Sequence, residues 1–553
     1  MNRRTSATGA PRAVCVLLLV ALLGVGCGPA PRRAAETPAP TPAADSLFPD
    51  LGDRGYDADH YTLDLAIDPQ RNTVSGTVTM DATATQDLNG FSLDFIGFQI
   101  GALTVDGAAA TYGRQGRKLT ITPPRAPRAG QRFTTAVTYS GTPTTVDTTP
   151  GGDGGWHQAG ASVYVTSEPD GAAGWFPVND HPRDKATYTF RLTVPDPDLA
   201  VANGVRSETI PHGGTTTYVW EEQAPMASYL ATVAVGRFTE LRQTGPDGLP
   251  ILIYAPPDLA ARAQAVLADQ PRLLAYFASI LGPYPFTTYG DILVDADFRW
   301  SLETQTRPVF SRSLVGLEPH TAQEGIAHEL AHQWFGDSVS LDDWGDIWLN
   351  EGFATYLSWL WLEHVQDRDF LEGLMRSQYG YILNAPEYAA LLEQPTMPPQ
   401  QVLAIVRELF QPDGHPVSDA EIVRAMGLTS ADQVTSARAL GLLGVRPGSA
   451  DARSYQEMAR SSAPAAPPRD DLFAQSVYAR GAMTLQALRV RVGDATFFTI
   501  LRTYADRYRQ GNATTADFIR VASAVSGQDL TAFFHDWLYA TNPPPMPPLL
   551  PSQ

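Results

Sequence analysis

The sequence predicts an α+β chain of several domains, with an antiparallel β domain followed by a largely helical domain. Three observations carry this. Between residues 51 and 245 apolar residues return at every second position. From about Pro250 they return at helical spacing. The second half then holds a His-Glu-x-x-His run on a stretch apolar enough to be a buried helix. Period two puts alternate side chains on one face of a strand, and period 3.6 draws a stripe along a helix. At 553 residues the chain is too long for one core.

The first 27 residues are laid out as a secretory signal. Arg3, Arg4 and Arg12 precede an apolar run over 13–25 that is short for a membrane span. It ends Leu22-Leu23-Gly24-Val25-Gly26-Cys27, similar to a bacterial lipobox, with Gly24 departing from the usual aliphatic residue. The expectation is an extracytoplasmic protein carrying a lipid on Cys27 and anchored to the bacterial cell membrane, with plain secretion as the alternative. Residues 28–50 are rich in Pro and Ala and are expected to be a flexible linker.

The β domain is expected over 51–245. Tyr61, Leu63, Leu65 and Ile67 point one way, with Thr62, Asp64 and Ala66 between them. Val74, Val78 and Met80 continue the alternation, then Phe91, Leu93 and Phe95. The second domain is expected over 246–540, opening with a helix at Leu259 and closing with the apolar 530–538 segment. A Pro-rich tail follows over 541–553. The formal charge is −19, from 40 basic and 59 acidic residues, which argues against nucleic acid and anionic membrane surfaces as partners. Both cysteines, Cys15 and Cys27, lie in the first 27 residues, so no intrachain disulfide supports the mature fold.

The chemistry concentrates in one run, from His328 to Val339. His328 and His332 are four apart, so on a helix both rings leave the same face. Nineteen residues on, Glu351 lies in Asn350-Glu351-Gly352, within an apolar stretch over 346–363 that reads as a second helix. Two imidazoles and a carboxylate can hold one Zn2+ with a fourth position open for water, the catalytic arrangement. Glu329 is then the general base. A third histidine ligand from the same run is excluded, because Phe335 and Ser338 stand where that pattern needs Gly and His. His181 and His320 are expected to be packing or loop residues, and His364 to meet a helix C-terminus.

These residues resemble the aminopeptidase N family of zinc metallopeptidases. The likeness extends to Gly282-Pro283-Tyr284-Pro285-Phe286, and to Trp300-Ser301-Leu302-Glu303-Thr304 at the place of the family's G-A-M-E-N motif. It extends also to Ser476-Val477-Tyr478-Ala479-Arg480-Gly481-Ala482. The resemblance implies a saddle-like N-terminal β domain and a thermolysin-like catalytic domain, in a short form without the family's C-terminal helical domain. It implies peptide substrates with a free N-terminus, cut by water attacking the first peptide carbonyl. Tyr478 would stabilise the oxyanion, and Glu303 and Glu168 would hold the substrate amine. Trp300, Leu302 and Thr304 depart from the motif, which bears on side-chain preference. The same resemblance leaves room for a zinc endopeptidase, or for a non-catalytic peptide-binding protein.

Glu351 and Tyr478 lie 127 residues apart, more than is usual in the family. The excess predicts a helical insert at about 385–468, either roofing the cleft or decorating the periphery. Val402, Ile405, Val406, Leu409 and Phe410 form a helical stripe. Ser418…Glu421 and Ser430…Gln433 have the spacing of capping boxes.

Overall fold

The computed structural model describes residues 45–148, 152–298, 301–366, 368–409, 417–443, 445, 463–540 and 544–545. The signal segment, Cys27, Trp300, Phe410 and most of the Pro-rich tail lie outside the described residues.

The N-terminal region is built on an eight-stranded sheet. Its order is Val205–Pro211, Thr215–Met226, Ala186–Pro195, Tyr56–Asp68, Thr73–Ala84, Arg132–Gly141, Gln99–Val105, Ala108–Ala109. The alternation seen in the sequence is the burial pattern: Tyr61, Leu63, Leu65 and Ile67 are buried, while Asp64 and Ala66 are exposed. Pairing is antiparallel except between Tyr56–Asp68 and Ala186–Pro195, which run parallel with His60 opposite Thr187. A five-stranded sheet ends near the site. Its strand Ser162–Thr166 pairs with Asp153–Ala159 and Val233–Gly236, and runs directly into Glu168.

A mixed sheet of Thr239–Thr244, Pro250–Ala255, Tyr289–Val294 and Val309–Ser311 opens the second region. The expected break at residue 245 is therefore displaced, because Thr239–Thr244 hydrogen-bonds into this second sheet. Helices α1 (Ala260–Val266) and α2 (Gln270–Leu281) follow. Then come α3 (Pro319–His332), α4 (Trp348–Val365) and α5 (Arg368–Glu393). The insert supplies α6 (Pro399–Leu409), α7 (Asp419–Ala425) and α8 (Ser436–Leu442), and α9 (Gln475–Val492) returns to the core. The last helices are α10 (Asp494–Arg507), α11 (Thr515–Ser526) and α12 (Thr531–Leu538). α4 is buried nearly all round, as its sequence predicts for a helix central to a bundle. No described helix is long and apolar enough to cross a membrane.

The insert has a small core of its own, with Leu391, Val402, Leu403, Val406, Ile422, Val434 and Leu440 packed together. Ser418 and Glu421 form the expected capping box at the start of α7. The Ser430…Gln433 box does not form. The Gln433 carboxamide oxygen accepts from Thr429 N and Thr429 Oγ1, both at 3.0 Å, and Thr435 caps the next helix instead. The linker reading also stops short of residue 50. Asp45 accepts from Leu47 N, Phe48 N and Trp344 N, and Phe48 packs edge-on against Trp344. His181 is buried with Nε2 3.1 Å from Asp45, His320 faces Gln366 at the surface, and His364 stacks on Tyr276 in the last turn of α4.

Candidate functional site

α3 and α4 pack against each other and bring three sequence-predicted residues together. His328 Nε2 and His332 Nε2 are 3.1 Å apart. Glu351, in the first turn of α4, puts Oε2 3.1 Å from His328 Nε2 and 3.5 Å from His332 Nε2. Bonds of about 2.05 Å to a tetrahedral ion place its ligand atoms about 3.3 Å apart, so this triangle has the edge lengths of a zinc site. The donor set, two imidazoles and one carboxylate, suits zinc as well. His332 Nδ1–H donates to the Phe335 carbonyl at 3.1 Å, which leaves Nε2 free as a lone-pair donor. Gly336 makes that bond possible. It turns the chain back at φ +131°, where a Cβ would lie 3.1 Å from His332 Nδ1.

Three further carboxylates converge beside this triangle. Glu303 and Glu329 share a cluster with His332, and Glu168 and Glu303 share one with Glu351, all ligand atoms within 4.8 Å of one another. Glu303 is 2 % exposed, and its Oε1 has no hydrogen-bond partner among the described residues. The Oε1 of Glu168 is likewise buried and unpartnered. Burial raises the pKa of Glu168, and Glu303 and Glu351 raise it further. Burial also pushes Glu329 well above the usual carboxylate range, against the pull of His332 and with the help of Glu303 and Glu351. Burial alone would lower the His332 pKa, yet Glu303 and Glu351 outweigh it and push it up to about 10. Burial alone would raise Glu351, yet His332 and His328 hold it down at about 2. The pocket is thus a concentration of buried negative charge that calls for cations.

Tyr478, on α9, stacks on the His328 ring with centroids 6.1 Å apart. Burial, then Glu351, raises its pKa well above the usual value, so it stays a hydroxyl donor at neutral pH. It comes this close because α4 and α9 cross at two glycines. A Cβ on Gly352 would lie 2.9 Å from Gly481 Cα, and a Cβ on Gly481 2.9 Å from Gly352 Cα. Both glycines lie in motifs visible in the sequence, but nothing local in either shows that they face each other.

Each acid-bearing loop has its own anchor. The Glu168 loop is held by Arg117, whose guanidinium meets Asp170, Asp180 and Asp94 and donates to the Asp170 carbonyl at 2.7 Å. The Glu303 loop is held by a bridge between Leu302 and Val309 and by Arg307. The buried Arg307 guanidinium donates to the Leu252 and Gly204 carbonyls and lies over the Trp220 and Tyr254 rings. No local pattern around Arg117 marks it in the sequence.

The profile of the Peptidase family M1 domain matches residues 270–391 and 446–537, and that of the Peptidase M1 N-terminal domain matches 57–230. The chain belongs to peptidase family M1. Residues 392–445, left out of the match, hold α6, α7 and α8. Aminopeptidase M1-A of Oryza sativa is 26 % identical over 379 residues, 67 % of this chain and 36 % of that protein. Aminopeptidase N of Acetobacter pasteurianus is 27 % identical over 320 residues, 54 % of this chain and 88 % of that protein. The chain thus spans about a third of the rice enzyme's length. The crystal structure of the M1 zinc metallopeptidase of Deinococcus radiodurans superposes with a TM-score of 0.72 at 26 % identity, covering 93 % of this chain and 100 % of the other. A mutant of that enzyme has been solved bound to a Tyr-Ser-Ala substrate, with a TM-score of 0.72 over 92 % of this chain.

Proposed function

We propose that this protein is a zinc aminopeptidase that removes the first residue of peptides with a free N-terminus. The observation that carries this is the pair of unpartnered carboxylate oxygens, on Glu303 and Glu168, set beside the His328–His332–Glu351 triangle. A buried carboxylate oxygen without a partner is costly unless a ligand supplies one. An α-ammonium group supplies a charge and three donors in one place.

His328, His332 and Glu351 would hold zinc, which when bound supplies Lewis-acid polarisation of the scissile carbonyl and an acidified water. Glu303 and Glu168 bind the substrate ammonium and so allow only the first peptide bond to reach that centre. Glu329, kept proton-seeking by burial and by its acidic neighbours, takes the proton from the attacking water and passes it to the leaving amine. Tyr478 donates its hydroxyl to the oxygen that gains negative charge. The similarity to the Acetobacter and Deinococcus enzymes supports the same reading.

Turnover of a panel of aminoacyl-coumarins, with and without chelator, tests it. Activity is expected with free-amine substrates, to vanish on chelation and to be absent with N-acetylated ones. Internal cleavage of N-blocked peptides would make the protein an endopeptidase instead. We further propose a lipid on Cys27 and an extracytoplasmic site of action, supported by the Arg-led apolar leader and the Gly26-Cys27 pair. Incorporation of labelled palmitate that survives Cys27→Ala would overturn it.

A further inference from the structure

Gln333 sits at the C-terminal end of α3, one residue past the ligand His332. Its side chain is 0 % exposed and uses every hydrogen-bonding position an amide has. Its Oε1 accepts from Thr306 N at 2.8 Å and from Tyr284 Oη at 3.2 Å. Its Nε2 donates to the Glu303 carbonyl at 3.2 Å and to Asp337 Oδ2 at 2.7 Å. The partners fix the orientation of the amide, since Thr306 N–H can only donate and the Glu303 carbonyl can only accept.

Two of these four bonds end on the loop that carries Glu303, and they bracket it at residues 303 and 306. The loop between them is not relaxed, because Thr306 holds φ +63°, a region that a β-branched residue adopts at a cost. The other two bonds tie the amide to the turn after α3 and to Tyr284. One side chain therefore joins the backbone of Glu303 to the residue beside a metal ligand.

We propose that Gln333 is the positioning residue that sets the distance between the metal centre and the Glu303 carboxylate, and so confines the enzyme to the first peptide bond. This rests on Glu303 binding the substrate amine. The loop keeps its Leu302–Val309 bridge and its Arg307 anchor without Gln333. Loss of the amide therefore leaves the loop folded and its register with α3 loose. A displacement of about 1 Å is enough to weaken an interaction that depends on alignment.

The test uses two inhibitors, an amino-acid hydroxamate and its desamino counterpart. Both reach the metal, and only the first reaches Glu303. Their ratio of inhibition constants reads the amine contribution alone. In the wild type a charge-assisted bond predicts a ratio of at least about tenfold. In Gln333→Met the ratio is expected to fall at least about fivefold, with the desamino constant within about twofold of wild type and zinc content unchanged. Should Gln333→Met fail to fold, Gln333→Asn keeps an amide one methylene too short to reach both Thr306 and Glu303, and the same selective loss is expected. A ratio that survives in the variant, or equal weakening of both inhibitors, would overturn the proposal. Glu303→Gln in the same assay separates the two layers. An intact ratio there sinks the amine-site reading itself, whereas a ratio lost there and kept in Gln333→Met sinks only the role of Gln333.

Discussion

Gly481→Ala adds one carbon where α4 and α9 cross. The new Cβ would lie 2.9 Å from Gly352 Cα and 3.8 Å from Trp348 Cβ. Non-bonded carbons rest at about 3.5–4.0 Å, so the helices must part by about 0.6–1.1 Å. The clash is with backbone, which no rotamer change relieves, and overpacking of this kind costs about 1–3 kcal/mol of stability. Tyr478 lies one turn earlier on α9 and moves with it, away from His328. Misplacement by about 1 Å can cost about a hundredfold in rate, close to the loss from removing one oxyanion donor outright. His328 and His332 lie on α3, outside the clash, so zinc content should hold. The expected outcome is kcat lower by about 10- to 100-fold, KM little changed and a lowered Tm. Tyr478→Phe should cost much less in the Gly481→Ala background than in the wild type, because both changes remove the same contact. Wild-type kcat in Gly481→Ala would refute the reasoning, and so would a rate loss that simply tracked lost zinc.

Glu329→Gln should keep its zinc and lose about 10²- to 10⁴-fold in kcat, the usual share of a general base, and robust turnover would remove Glu329 from that role. Arg117→Met should destabilise the protein by about 3–5 kcal/mol, because it strands the buried carboxylates of Asp170 and Asp180, while Asp94 keeps Lys118. An unchanged denaturation midpoint would contradict this. Burial raises the Asp291 pKa from 3.8 to about 7, against hydrogen bonds from Gln270 Nε2 to both carboxylate oxygens at 2.9 and 2.8 Å. The native chain then holds a proton that the unfolded chain has released. Its contribution to stability is full below pH 4 and is lost as pH rises to about 7. The Tm of Asp291→Asn relative to wild type should therefore climb across that window, and a flat difference would count against it.

The parts of this fold that showed in the sequence are those governed by local periodicity. Tyr61, Leu63, Leu65 and Ile67 are buried because a strand turns over at every residue, and His328 and His332 meet because a helix repeats near four. Glu351 could be placed as well, since its helix is apolar on every side and has to be central. Long-range geometry was illegible. Nothing local says that Tyr56–Asp68 pairs in parallel with Ala186–Pro195, or that Gly352 and Gly481 touch. Glu168 and Glu303 were legible through resemblance alone, because their meeting depends on two separate sheets and on the anchors Arg117 and Arg307. Composition misled at 45–50, where Pro and Ala upstream suggested a tether. Asp45 and Phe48 instead find a capping role and an aromatic partner on distant segments. At Ser430 the spacing matched a capping box, but the Gln433 carboxamide was taken by Thr429.

The central claim is a divalent ion bound by three side chains, and anomalous diffraction from crystals at the zinc absorption edge tests it most directly. The account predicts one strong peak per chain, about 2.0–2.2 Å from His328 Nε2, His332 Nε2 and a Glu351 carboxylate oxygen. A featureless map at that place from active, zinc-replete protein would contradict it, as would a peak bound by other residues.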